Sequence, residues 1–270
     1  MNVGIIGYGS MGKMLLDKFA ASGRFDANSL YIANRTTGKI ADAPDRYTIC
    51  RSNSELASKA DIVFVCVRPV DIKSVLSEIK DSLKENALLV SLNGNIPFEL
   101  LGSIISTKTA KVVPSVTAEI DRSQTLVCYN ELVGSDDKAM LEELLGCIGT
   151  VIELPEKELG MGSELVSCMP GFIASIFDVI CTSAKKHTAI PDGQIVKMVL
   201  NTLNAASELM LEKEMSFGDV VTRVATKGGI TEEGTKVVYE MFPETADKLF
   251  ENTLEKRRLT AVNAQKSFAE

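Results

Sequence analysis

Three glycines set the first piece of chemistry. Gly7, Gly9 and Gly12 in "NVGIIGYGSMG" stand in G-x-G-x-x-G register, directly after a strand-like run and at the start of a helical one. The first glycine permits a tight turn, the second lets a pyrophosphate approach the backbone, and the third lets helix and strand pack closely. Amides of Gly9, Ser10, Met11 and Gly12 then face phosphate oxygens at a helix N-terminus, with Tyr8 inside the same loop. The pattern predicts a dinucleotide site. The next apolar run ends "YIANRTTGK". An NAD-selective site holds an Asp or Glu there, on the ribose 2′-hydroxyl. This chain has Asn34, Arg35, Thr36 and Lys39, and cations with hydroxyls suit a 2′-phosphate. NADPH is the expected cofactor, with NADH as the alternative.

A second glycine pair lies in "TKGGITEEG", residues 226–234. Two readings are open. One is a left-handed turn with Thr231 as a helix N-cap. The other is an anion cradle. Gly228 and Gly229 admit backbone angles that other residues resist, so N–H groups from Gly229 through Ile230 to Thr231 can converge on one carboxylate. The Thr231 hydroxyl adds a donor and the following helix adds its positive end.

Other chemistries lack material. There is one histidine, His187, after Lys185 and Lys186 at the end of a long helical run. It reads as a surface residue favoured by the helix dipole, and metal clusters and Ser/His/Asp catalysis are not expected. The six cysteines show no CxxC spacing, which fits reduced thiols in a cytoplasmic protein. Cys168 reads as a small packing residue. The net charge is −7 with no basic run, so neither nucleic acid nor an anionic membrane is an expected partner. The start "MNVGIIG" lacks the basic region of a signal peptide. Leu165–Ala184 is the most membrane-like stretch, interrupted by Pro170 and Gly171. It reads as a helix buried between packed helices, with Asp178 either functional or hydrogen-bonded at an interface. "EKRR" at 255–258 reads as a solvated helix face.

Residues 1–155 must position the first loop. Val3–Gly7, Leu30–Asn34, Ile62–Val67, Ala87–Leu92, Lys111–Pro114, Thr125–Tyr129 and Val151–Leu154 read as strands, mostly separated by helical stretches. That alternation predicts an α/β fold with a parallel sheet covered on both faces, a Rossmann-type doubly wound domain. Residues 156–270 read as helices alone. Asp192–Lys213 is apolar around much of its girth, as a dimer interface or a deep core would require. "SFGD" at Ser216–Asp219 predicts a capping box, and Pro243 fits the first position of the last helix.

The order of motifs resembles the pyrroline-5-carboxylate reductase family across nearly the whole chain: "GIIGYGSMG", "NSEL", "VCVRPVDI", "SLNGNI", "VVPSVTA", "SCMPGF" and "TKGGIT". The resemblance implies an N-terminal Rossmann domain, a C-terminal all-α dimerisation domain, and a homodimer or a higher homo-oligomer built of dimers. It implies reduction of the cyclic imine 1-pyrroline-5-carboxylate to L-proline with NADPH or NADH. Asn53 would contact the adenosine end of the cofactor. Val67, Arg68 and Pro69, with Asn93, Gly94 and Asn95, would line its ribose and nicotinamide. Thr231 would be the substrate-contacting threonine, alongside Thr226, Gly228, Gly229 and Ile230, and Glu214 would be an acidic residue near the substrate. Under this resemblance the glycine pair is the substrate-carboxylate cradle.

Hydride transfer asks mainly for positioning, and the imine nitrogen needs one proton, from solvent or a hydroxyl. A β-hydroxyacid dehydrogenase would need a lysine within Leu165–Ala184, where there is none. The family usually has Pro-Asn-Thr-Pro where this chain has Pro114-Ser115-Val116-Thr117, and Ser-Gly-Pro-Ala-Tyr at 168–172, where Phe172 lacks the hydroxyl. Lys227 stands where the family has a proline before the glycine pair. These substrate-side motifs are similar to those of the late competence protein ComER, a divergent relative, which keeps open two alternatives: an NADP-binding regulatory role with little or no turnover, and reduction of a related cyclic imine.

Overall fold

A computed structural model of the chain describes residues 1–36, 38, 40 and 47–269. Eight strands form one sheet: β1 Val3–Ile6, β2 Leu30–Ala33, β3 Thr48–Ile49, β4 Ile62–Val65, β5 Leu88–Ser91, β6 Thr109–Val113, β7 Ser123–Tyr129 and β8 Gly149–Glu153. Their order is β3-β2-β1-β4-β5-β6-β7-β8. β1, β2, β4 and β5 are apolar four-residue runs buried at nearly every position, the signature of strands covered on both faces. The chain returns between them through α1 Ser10–Ala21, α2 Asn53–Lys59, α3 Ile72–Ile79 and α4 Phe98–Gly102.

The first six strands are parallel, as the alternation requires. β7 departs from the expected parallel sheet, pairing antiparallel to β6 with Val112 opposite Val127. The link between them holds only the 3₁₀ segment Val116–Ile120, closed by Asp121 in the left-handed conformation, and a parallel crossover needs a dozen or more residues. α5, Ser135–Leu145, supplies such a crossover from β7 to β8, which pair parallel.

Two apolar layers sandwich the sheet. One gathers Leu15, Leu16, Phe19, Ile5 and Phe64; the other gathers Leu56, Ile72, Leu76, Val63 and Leu89. Each such side chain contributes roughly 1.5–3 kcal/mol by leaving water.

A continuous helical run spans Glu156–His187, including α6 Leu159–Ser163, a π-helical turn Glu164–Cys168 and α7 Met169–Ala184. α8 Asp192–Glu212, α9 Phe217–Val224 and α10 Ile230–Ala269 follow. The predicted capping box is present: Ser216 Oγ accepts from Asp219 N–H at 3.1 Å, and the Asp219 carboxylate accepts from Ser216 N–H at 2.8 Å. Pro243 does not begin the last helix; it lies inside α10, which already starts at Ile230.

Contacts divide the chain into two compact units, one of residues 1–170 with the C-terminal stretch from Leu254, the other Gly171–Thr253. In the second unit, Cys181 and Ile195 are the buried hydrophobic residues among those described. α7 is therefore not buried among helices as expected: Val179 and Ile180 are exposed, as are Met198, Leu200 and Leu211 of α8. A deep core is ruled out as the reason for the apolar girth of α8. By length and composition Glu156–His187 is also apolar enough to cross a membrane.

Candidate active site

The glycine loop leaves β1 at its carboxyl end and enters α1. Gly7 has φ +102°, and a Cβ on it would lie 2.7 Å from the Cys66 carbonyl oxygen. A Cβ on Gly12 would lie 2.1 Å from the Gly7 carbonyl oxygen, so helix and strand touch where that glycine stands. Ser10, Met11 and Gly12 form the first turn of α1.

A cavity of about 490 Å³ opens beside this loop, at the carboxyl ends of β1, β2 and β4. Such crevices are where doubly wound sheets bind ligands. Gly7, Tyr8, Gly9, Asn34, Arg35, Thr36, Asn53, Val67 and Arg68 line it. Ser10, Met11, Gly12, Pro69, Asn93, Gly94 and Asn95 do not, and Lys39 falls outside the described residues.

Asn34, standing where an NAD-selective site carries an acid, braces the loop. Its Oδ1 accepts from Tyr8 N–H at 3.0 Å and its Nδ2 donates to the Thr36 carbonyl at 2.8 Å. Arg35 and Arg68 converge on Asp71, at 3.2 and 2.9 Å, and both guanidinium groups are largely exposed. The hydrogen bond from Arg68 is the largest influence on the Asp71 carboxyl; with the Arg68 charge and the hydrogen bond and charge of Arg35 it outweighs the opposing desolvation and holds the carboxyl below its ordinary range. The sequence reading missed Arg51, Ser52, Asp71, Ser74 and Glu78 on this wall. Arg51 and Ser52 directly precede the "NSEL" motif, which was the available signal. Glu78 comes from α3, and its carboxylate takes Asn53 N–H at 3.2 Å and Asn53 Nδ2 at 2.7 Å.

The Asn93–Asn95 loop leaves β5. Asn93 Nδ2 donates to the Val67 carbonyl at 2.8 Å, joining the two loops that follow β4 and β5. A Cβ on Gly94 would stand 3.0 Å from Val113 and 3.3 Å from Leu159. Just beyond, the fully buried Lys111 amino group meets the Ile96 carbonyl at 3.1 Å and the Glu156 carboxylate, and lies 4.6 Å from the Phe98 ring centre.

The second glycine pair lies in the other unit. Gly229 N–H donates to the Thr226 carbonyl at 2.8 Å, closing a turn with Gly228 at φ +76°. A left-handed residue at the third position is the mark of a type II turn. A Cβ on Gly229 would meet Thr226 Oγ1 at 2.6 Å. α10 begins at Ile230, so Thr231 stands in its first turn and is not the N-cap. Ile230 and Thr231 N–H have no acceptor within the helix, because the first turn never does. Gly228 N–H donates to the Glu232 carboxylate at 2.6 Å, so the turn already receives one carboxylate. Glu214 is left-handed, φ +51°. It follows α8 in a Schellman arrangement, with Met215 N–H on the Met210 carbonyl at 2.9 Å. For a residue with a Cβ this costs roughly 1–2 kcal/mol. Among the described residues, Glu214 makes no hydrogen bond or ion pair with the 226–231 turn.

All six cysteines are free. Burial pushes the Cys66 and Cys168 thiols up, and Glu164 adds to the shift at Cys168. No group of metal-ligating side chains occurs among the described residues.

Two family models match: one described as NADP oxidoreductase coenzyme F420-dependent, over residues 2–94, and one described as pyrroline-5-carboxylate reductase dimerisation, over residues 156–259. Pyrroline-5-carboxylate reductase 3 of Bacillus subtilis is 31% identical over 262 residues, 95% of this chain and 96% of that one. The chain belongs to the pyrroline-5-carboxylate reductase family. ComE operon protein 4 of Bacillus subtilis is 27% identical, over 94% of each chain. In fold, the chain is similar to the Plasmodium falciparum pyrroline carboxylate reductase solved with NADP bound. The TM-score is 0.83 at 21% identity, covering 100% of this chain and 97% of that one. The reductase of Coxiella burnetii gives a TM-score of 0.83 at 24% identity, over 98% of each chain. These likenesses place the Rossmann domain at the N-terminus and the helical dimerisation domain after it.

Proposed function

We propose that the protein reduces 1-pyrroline-5-carboxylate to L-proline with NADPH, as a cytoplasmic homo-oligomer built of dimers. Family membership sets the reaction class. The observation that carries the reading to this chain's residues is the 226–231 turn, which already accepts a carboxylate from its own Glu232.

The cavity beside the glycine loop fits NADPH. It is walled by Gly7, Tyr8 and Gly9 of the loop that leads into α1, has no carboxylate at the end of β2, and carries the exposed cations Arg35 and Arg68, with Arg51 on the same wall. Gly7, Gly9 and Gly12 with the α1 amides hold the pyrophosphate, and Arg35 and Thr36 meet the 2′-phosphate. Asn53 meets the adenosine end. Val67, Arg68, Pro69 and the Asn93–Asn95 loop receive the ribose and nicotinamide. The bound cofactor supplies the hydride.

Ile230 and Thr231 N–H and the Thr231 hydroxyl bind the substrate carboxylate, beside the Gly228 N–H that Glu232 takes, on a frame set by Thr226, Gly228 and Gly229. Glu214 lies on the substrate side of the same helical region. The imine nitrogen takes its proton from solvent, directly or relayed through the Thr231 hydroxyl, which regains a proton from water as it gives one, so no histidine is needed. The labour divides near residue 155, with 1–155 holding the cofactor and 156–270 serving assembly and substrate. A second copy of the chain covers the exposed apolar residues of α7 and α8, since clustered exposed apolar side chains mark interaction surfaces.

The test follows NADPH absorbance with 1-pyrroline-5-carboxylate and identifies the product. NADPH consumption matched by L-proline supports the proposal. Tight NADPH binding with no turnover overturns it and favours the regulatory role.

A further inference from the structure

Arg257 belongs to "EKRR", expected as a solvated helix face, yet its side chain is only 20% exposed. Its Nε and Nη2 donate to Glu164 Oε1 at 3.1 and 2.7 Å, and Nη2 also reaches Ser163 Oγ at 3.1 Å. Its Nη1 donates to Asn95 Oδ1 at 2.6 Å. Glu164 is 1% exposed, and its other oxygen, Oε2, has no hydrogen-bond partner.

Stability alone is a poor reason for this cluster. A buried ion pair repays its desolvation only when its remaining polar atoms are satisfied, and apolar packing often does as well. Here one carboxylate oxygen takes both guanidinium bonds and the other takes none. Glu164 also opens the π-helical turn Glu164–Cys168, a form frequent at functional sites. A thiolate role for the neighbouring Cys168 does not fit, because burial and Glu164 both keep that thiol protonated. What remains is the third partner. Asn95 ends the loop whose other end, Asn93, is tied to the Val67 carbonyl. The loop is thus anchored to the chain after β4 on one side and to α10 on the other, and the second anchor is Arg257.

We propose that Glu164 and Arg257 are positioning residues. They hold Asn95, and through it the Asn93–Asn95 loop, in the shape that receives the nicotinamide end of NADPH. Glu164 fixes the guanidinium, and the guanidinium fixes the loop. This rests on the reading that NADPH is the cofactor and that this loop faces its nicotinamide.

The test compares two ligands, NADPH and adenosine 2′,5′-bisphosphate, which carries the adenosine and the 2′-phosphate but no nicotinamide. Both are titrated into the wild-type protein, Arg257→Lys and Asn95→Ala, with kcat and KM measured beside them. Lysine keeps the charge near Glu164 but cannot reach both partners. The expected result for each variant is an NADPH affinity about tenfold weaker, bisphosphate affinity within twofold of wild type, and a fall in kcat larger than the rise in substrate KM. The double variant is expected to be little worse than either single one. A variant that loses thermal stability but keeps the wild-type ratio of the two affinities overturns the proposal. If Arg257→Lys fails to fold, Asn95→Ala, at a partly exposed position, decides alone: an unchanged ratio overturns it. Failure of the wild-type protein to bind either ligand instead refutes the cofactor reading beneath it.

Discussion

The two glycine turns are held in different ways. At the first, neighbours enforce the glycines: a Cβ on Gly7 or Gly12 would run into the backbone of Cys66 or of Gly7 itself. At the second, nothing lies within 4 Å of a Cβ on Gly228, and Gly229 is crowded only by Thr226 of its own turn. The first turn is built into a packed sheet, and its pocket walls come from one compact unit. The second is held by its own backbone, at the start of a helix whose side chains are largely exposed. A cofactor site can be complete in a single sandwich of helices and sheet. A site on an open turn depends on its local conformation, and responds to different mutations.

The largest expected effect breaks the packed turn. Gly12→Ala pushes a methyl into the Gly7 carbonyl, and overpacking of this kind costs about 1–3 kcal/mol. NADPH affinity is expected to fall by up to about 100-fold in a fluorescence titration. Gly228→Ala probes the open turn. Its left-handed backbone costs a residue with a Cβ about 1–2 kcal/mol, so substrate KM is expected to rise about tenfold while NADPH affinity stays put. A change in NADPH affinity with this variant would erase the contrast between the turns. Arg35→Ala sharpens the first site from within, costing about fivefold in NADPH affinity and nothing for NADH. Equal losses for both would remove Arg35 from the 2′-phosphate.

The smallest effect is a pH dependence. The Asp71 carboxyl is held low by its hydrogen bond from Arg68 and then by Arg35. A group whose pKa is lowered by folding adds stability above its unfolded pKa and loses it as pH falls through the folded value. Melting temperature should therefore respond to Asp71→Asn at pH 7, and this difference should fade only below about pH 4.

The same contrast explains what could be read from the sequence. Strands buried on both faces announce themselves as apolar runs, so seven of the eight strand positions were legible, and Thr48–Ile49 was too short to register. The direction of β7 was hidden because it depends on the length of a link, not on the apolar pattern. Pro243 misled because a proline that fits a helix start can also sit within a helix that neighbouring turns sustain. The glycine loop, Asn34 and Arg35 were legible because their spacing is local. Glu78, Asp71 and Arg257 were not, since each reaches its partners from another element, Arg257 across more than half the chain.

The most direct measurement pairs turnover with binding in Thr231→Ala. The variant is expected to bind NADPH as the wild-type protein does and to lose about 100-fold or more in kcat/KM for 1-pyrroline-5-carboxylate, since a removed substrate contact and hydroxyl donor cost about 3 kcal/mol together. Wild-type turnover by the variant would show that the turn at 226–231 does not hold the substrate, and would contradict the account at its centre.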